Sequence, residues 1–224
     1  MNILAFDTAL SAGSVALVSN GAVLATCDEP NAKSLAERLV PMVDKVLAEA
    51  GKAYTDLDRI AVTVGPGTFT GMRIGVATAR AMSLAADVPL VGASTLEVMA
   101  RQVANDHPSA TDIHICFDAR RKEVYCQSFR PLGESDVAPL SEPVACSYEV
   151  ASGLLSGTSG VAAGNGVGLV ETPATIQVLE GYTRLDACVL AGMAAARPVP
   201  DSVPEPLYLR APDAKLPGGK EVGA

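Results

Sequence analysis

Apolar positions follow two rhythms along this chain. Residues 2–6 form a short apolar run that stops at Asp7, and 14–18 and 22–26 form two more. Short apolar runs bounded by turn residues predict buried strands. The second and third runs are joined through Asn20-Gly21, the pair that tight hairpins favour. The period then becomes helical: Leu35, Leu39, Met42, Val43, Val46, Leu47 and Ala50 share one face, opened by Ser34 with Glu37 three positions on and closed by Gly51. Pro41 lies inside this stretch and predicts a kink. Residues 60–64 and 89–92 read as strands, 72–86 as a second helix, and Ser94 with Glu97 opens a third helix that ends near 104.

The second half repeats the rhythm. Strands are predicted at 113–117, 124–129, 143–146, 161–164 and 175–179, with helices at 148–155 and 185–196. Phe6-Asp7 and Phe117-Asp118 each end a strand, half a chain apart. A duplicated βββαβαβα unit follows, with lobes at 1–104 and 105–197 and a proline-rich extended tail at 198–224 whose end is expected to be disordered. Two tandem units of this kind describe an α/β, actin-like (ASKHA) fold with mixed sheets, an assignment that fixes architecture and not activity.

The helix at 72–86 departs from the usual pattern. Its charges are Arg73 and Arg80, and almost everything else on it is apolar or small. A surface helix needs an apolar stripe of only ~100°. The helix at 34–50 is also broad, because Ala36 and Val40 widen its face. Either the two helices cover each other within one lobe, or they form a surface for another chain. On the second reading Leu39, Met42, Val43, Val46, Ile74, Ala77 and Ala81 are contact residues, with Arg73 and Arg80 at the rim.

Composition narrows the chemistry. The chain has 224 residues, 49% hydrophobic and 19% charged, with a net charge of −8, 4% aromatic residues and no Trp. That balance disfavours a stand-alone nucleic-acid binder. No apolar run reaches the length of a membrane span, and the first residues lack a basic leader, so a cytoplasmic protein is expected. Five irregularly spaced cysteines and two histidines offer little for a disulfide framework, a metal site or a Ser-His-Asp triad.

Two sets of residues remain for chemistry. The segment Gly65-Pro66-Gly67-Thr68-Phe69-Thr70-Gly71 carries a strand into a helix, with Thr70 placed to cap it. It reads either as an anion nest, with Gly65, Gly67, Thr68, Thr70 and Gly71 as binding residues, or as a tight turn. It is not a Walker loop. Asp7 and Asp118 are candidates to hold a metal–nucleotide complex between the lobes, or are ordinary strand-end turn residues. Arg120, Arg121 and Lys122 form either an anion contact or a solvated turn.

Several stretches together resemble the TsaB (YeaZ) family: Ile3-Leu4-Ala5-Phe6-Asp7-Thr8, the glycine-rich segment continued through Met72-Arg73-Ile74-Gly75, Gly92-Ala93-Ser94-Thr95-Leu96, Asp118-Ala119-Arg120-Arg121-Lys122-Glu123-Val124-Tyr125 and Pro206-Leu207-Tyr208-Leu209-Arg210. They run in family order over nearly the whole chain. The resemblance implies a bacterial, non-catalytic subunit that pairs through its two amino-terminal helices with TsaD, or with itself as a homodimer. With TsaD and the ATPase TsaE it would support threonylcarbamoyl transfer to the adenosine beside the tRNA anticodon. It implies no cofactor of its own, ATP at the partner boundary or on TsaE, tRNA contact only through the complex, no membrane and no metal. The sequence departs from the family pattern at Leu35-Ala36, where the family carries His-Ser, and at Gly164-Asn165-Gly166, where it carries Gly-Asp-Gly. Both changes remove polar or acidic groups. An actin-fold ATPase or phosphotransferase using Asp7 and Asp118 is the alternative reading, and a glycoprotease-like metallopeptidase a weaker one.

Overall fold

The structure, a computed structural model, describes residues 1–133 and 136–210. The first half runs β1(Asn2–Asp7), β2(Gly13–Ser19), β3(Ala22–Glu29), α1(Leu35–Glu49), β4(Arg59–Thr63), α2(Phe69–Ala86), β5(Leu90–Ala93) and α3(Thr95–Asp106). Its strands form one sheet in the order β3-β2-β1-β4-β5. β1 and β2 pair antiparallel, whereas β4 joins β1 in parallel and β5 joins β4 in parallel. The predicted βββαβαβα order is met element for element.

The second half runs β6(Ile113–Arg120), β7(Glu123–Leu132), β8(Asp136–Pro139), β9(Val144–Ser147), α4(Tyr148–Leu155), β10(Gly160–Ala163), β11(Ile176–Val178) and α5(Ala187–Ala196). Its sheet order is β11-β10-β6-β7-β8, with β9 also pairing β7. Two departures from a strict repeat appear. The third strand is split, so that β8 pairs with one end of β7 and β9 with the other. The helix expected between β10 and β11 shrinks to a single 3-10 turn at Val167–Leu169.

Alternation along the strands explains the layering. On β1, Leu4 and Phe6 enter one cluster with Val15, Leu17 and the buried face of α1; Ile3 and Ala5 point the other way. Both faces are covered, so β1 reads as a continuous apolar run rather than an alternating one. The central cluster joins both sheets: Ala16 and Val91 from the first, Ile115 and Phe117 from the second, with Met99 of α3 and Leu190 of α5 between them. α3 packs on β6 and β7, while α5 packs on β1 and β2. Each half therefore lends its last helix to the other's sheet, and the boundary at 104/105 separates sheets but not cores. α4 covers the far face of the second sheet, packing its Ala151 and Leu155 with Cys116 and Val124.

Local signals fared unequally. Asn20 and Gly21 both take positive φ, at 49° and 83°, as the hairpin requires. Ser94 and Glu97 form a reciprocal capping box at 3.0 and 2.8 Å. Ser34 makes no cap: a 3-10 turn precedes α1, Ser34 is already helical, and its hydroxyl donates to the Asn31 carbonyl at 2.8 Å. α1 passes through Pro41 as one helix. α2 begins three residues before the expected Met72, and its cap is Thr68 rather than Thr70, the Thr68 hydroxyl accepting from the Gly71 amide at 3.2 Å.

After α5 the chain does not trail away. Residues 198–210 cross the first sheet's end as a strap. The Leu207 amide donates to the Val64 carbonyl at 2.8 Å, and Arg80 holds the Pro204 carbonyl with two bonds at 3.0 and 2.7 Å. The expected disordered end falls on residues 211–224, which lie outside the described residues. No helix among the described residues is long and apolar enough to cross a membrane.

Candidate partner-docking face and glycine-rich loop

The glycine-rich loop is a packing joint. Gly65 has φ of +105°, and a Cβ there would strike the Met72 sulfur. A Cβ on Gly67 would strike the Ala9 carbonyl, and one on Gly71 the Thr8 carbonyl. The absence of side chains lets the loop lie directly on the β1–β2 turn. The Thr68 amide donates to the Ala9 carbonyl at 2.7 Å, and the Thr8 hydroxyl donates to the Gly71 carbonyl at 2.7 Å. From the other side Thr95 donates its amide to the Gly65 carbonyl (2.9 Å) and its hydroxyl to the Pro66 carbonyl (2.6 Å). An anion nest needs free amides. Those of Thr68 and Gly71 are already bonded, and Thr70 sits exposed beyond them. The tight-turn reading fits this loop.

Asp7 belongs to the same joint. Its carboxylate is buried and accepts from the Ala9 amide at 3.0 Å and from the Thr63 hydroxyl. Burial pushes its pKa up to about 6, against the lowering effect of these bonds. Asp118 does not join it. That carboxylate caps the β6–β7 turn, accepting from the Arg120 amide at 2.7 Å and facing the Arg120 guanidinium at 3.4 Å. Both candidate carboxylates are engaged inside their own turns. No group of three potential metal ligands occurs among the described residues. His114 is a satisfied interior histidine, with Nδ1 at 2.8 Å from the Ser128 hydroxyl and Nε2 at 3.1 Å from the Ser159 carbonyl.

The two broad helices sort into core and surface. Leu39, Met42, Val43 and Val46 are buried within this one chain, in a cluster with Val15, Leu17 and Ala25, as α1 packs on β2, β3 and α2. They are the lobe's core and not a contact surface, because α1 turns its strongest apolar stripe to its own sheet. Of its apolar residues α1 leaves Ala36, Val40, Pro41 and Ala48 outside, among the exposed Glu37, Arg38, Asp44, Lys45 and Glu49. Arg38 reaches Glu29 on β3 at 3.4 Å, which sets that flank of α1 toward the sheet edge. On α2, Gly71, Met72, Gly75, Val76 and Ala79 are buried. Ile74 is half-buried, packed on the α1 side. Ala77, Ala81 and Ala85 are exposed, and Leu84 is 85% exposed. A leucine so exposed, in a row of alanines at helical spacing, is an uncovered apolar stripe.

Arg73 and Arg80 flank that stripe but are not free rim charges. Arg80 binds the strap, with Glu205 at 3.6 Å in addition to Pro204. Arg73 lies over the Phe69 ring at 3.6 Å and donates to the Tyr208 hydroxyl at 2.8 Å. Phe69 and Tyr208 are themselves close, with centroids 5.6 Å apart. Sequence reasoning missed this strap contact. It joins residues 135 positions apart, and no local pattern announces it.

The fold, two duplicated lobes with exchanged terminal helices, is that of the actin-like α/β class. A family model described as TsaD, tRNA N6-adenosine threonylcarbamoyltransferase, matches residues 29–155. A solved structure of YeaZ from Pseudomonas aeruginosa superposes with a TM-score of 0.78 at 30% identity, covering 87% of this chain and 90% of that one. The TsaB protein of Escherichia coli K12, described as a tRNA threonylcarbamoyladenosine biosynthesis protein, is 42% identical over 130 residues, 58% of this chain and 55% of the relative. The Haemophilus influenzae TsaB is 36% identical over 125 residues, 56% and 52% respectively. The chain thus spans about half the length of the curated relatives it matches. It belongs to the TsaB (YeaZ) family.

Proposed function

We propose that this chain is a non-catalytic subunit for tRNA threonylcarbamoyladenosine formation, pairing through the outward face of α1 and α2 with a TsaD-type transferase. The observation that carries this is the uncovered stripe Ala77, Ala81, Leu84 and Ala85 on α2; Val40 is the large exposed hydrophobic of α1. Small side chains let a partner helix approach closely, and Leu84 offers the bulk that a pocket would take. The pathway is that of the curated relatives, which are tRNA threonylcarbamoyladenosine biosynthesis proteins. The engaged state of Asp7 and Asp118 supports a supporting role over an ATPase or phosphotransferase. On this reading TsaE completes the complex, ATP is taken at the subunit boundary or by TsaE, tRNA is met only in the complex, and the isolated chain forms a homodimer through the same face.

Leu84→Asp tests it. The side chain is almost fully solvated, so the variant should fold with an unchanged melting temperature. Its affinity for TsaD in calorimetry should fall by about 2–3 kcal/mol, roughly 30- to 150-fold, if Leu84 fills a buried centre. A folded variant that binds TsaD like the wild type defeats the proposal.

A further inference from the structure

The β6–β7 turn carries three consecutive basic residues in a backbone that side chains avoid. Arg120, Arg121 and Lys122 have φ of 64°, 55° and 63°. Glycine or asparagine suits such positions, and strained non-glycine residues concentrate where their side chains are used. The turn is also held from several directions. Asp118 accepts from the Arg120 amide, and the Asp118 amide donates to Asn165 at 3.0 Å. Arg210 of the strap binds the Ala119 carbonyl and the Glu123 carboxylate, each at 3.0 Å. The Arg120 side chain is 84% exposed with its guanidinium 3.4 Å from the Asp118 carboxylate, and Lys122 is exposed.

The strap also fixes where this turn lies. Tyr208 holds Arg73 at the start of the docking helix, and Arg210, two residues on, holds the base of the turn. Two extended residues span at most about 7 Å. The strap thus ties the start of the docking helix to the base of the basic turn. Among residues 119–123 none is an exposed large hydrophobic, so the turn offers little area for a folded protein to bury. Exposed cations on a braced turn suit regularly spaced phosphates, whose contacts stay wet and gain from counterion release.

We infer that Arg120 and Lys122 contact the phosphodiester backbone of an RNA when the chain is paired with its transferase. The inference rests on the pairing proposed above. It gives this chain a direct hold on the RNA inside an assembly, although its overall charge of −8 disfavours RNA binding alone.

Arg120→Gly and Lys122→Gly separate this from a merely structural turn. Each removes a cation and relieves a left-handed backbone position, so each should raise the melting temperature, by about 2–4 °C. Both variants should still co-elute with TsaD. The affinity of the complex for tRNA, read by fluorescence anisotropy, should nevertheless fall about 3- to 10-fold per substitution, with the salt slope shallower by about 1. A more stable variant whose complex binds tRNA with unchanged affinity and slope overturns the inference and leaves the pairing intact. Loss of co-elution marks the turn as a protein contact and also overturns it. A wild-type chain that does not co-elute with TsaD defeats the pairing itself, and this inference with it.

Discussion

The same crossover is built twice in this molecule and serves two ends. Between β4 and β5 a glycine-rich loop opens into the 18-residue α2; between β10 and β11 the loop Gly164-Asn165-Gly166 opens into a three-residue turn. Both loops press on the strand-end turn that carries the lobe's aspartate: Gly71 lies against Thr8, and Gly166 against the Asp118 amide. The joint is thus common to both halves, and the long helix belongs to the first alone. A helix not needed to close the second sheet is available, in the first, to present an apolar face outward. What distinguishes the lobes is surface built upon a shared joint.

The sharpest way to break this comparison is to crowd one loop and not the other. Gly71→Ala drives a Cβ into the Thr8 carbonyl, a backbone atom that cannot swing aside, and should cost more than ~3 kcal/mol in urea unfolding. Gly168→Ala, in the short turn of the second half, meets nothing within 4 Å and should change stability by less than about 0.5 kcal/mol. Equal effects would mean that Gly71 is not pinned on the β1–β2 turn as described.

The twin aspartates give the next largest contrast. With its pKa raised from 3.8 to about 6, Asp7 holds a proton in the folded state where the unfolded chain has released it. Its ionisation therefore weakens the fold as pH rises from about 4 to 6, and the loss persists above, on the order of 2–3 kcal/mol. Asp7→Asn keeps an acceptor for Thr63 and Ala9, so it should stabilise the protein by up to that amount at pH 7.5 and by almost nothing at pH 4, in thermal melts at each pH. Asp118→Asn loses only a solvent-facing ion pair and should shift stability by less than about 0.5 kcal/mol at neutral pH.

The two serine starts give the smallest effect. Ser94→Ala removes a working cap and should cost about 1 kcal/mol, whereas Ser34→Ala should cost a few tenths, since its hydroxyl serves no helix amide.

That last pair also shows what the chain's own order of residues makes legible. Ser94-x-x-Glu97 and Ser34-x-x-Glu37 are the same motif, yet only the first caps. The difference is the 3-10 turn ahead of Ser34, which the motif does not contain. The duplicated βββαβαβα rhythm was readable because burial on both faces forces long apolar runs. The breadth of α1 and α2 was readable too, as helical spacing that exceeded one face. Which residues of that breadth lie inward was not: periodicity fixes angles around a helix, while the sheet decides which angle it covers. Leu39, Met42, Val43 and Val46 went to the core for that reason, and Leu84, absent from the expected contacts, emerged as the most exposed large apolar residue among the described residues. Arg73 and Arg80 looked like free rim charges because their partners, Tyr208 and Pro204, lie more than a hundred residues away.

The exchange of α3 and α5 has a consequence for the chain as a whole. Severed in the connection between α3 and β6, each fragment would carry away a greasy rod whose proper bed remains with the other. Expressed apart, such fragments should clump; expressed together, they should knit back into one body. The two repeated lobes of this protein should therefore fold as one unit.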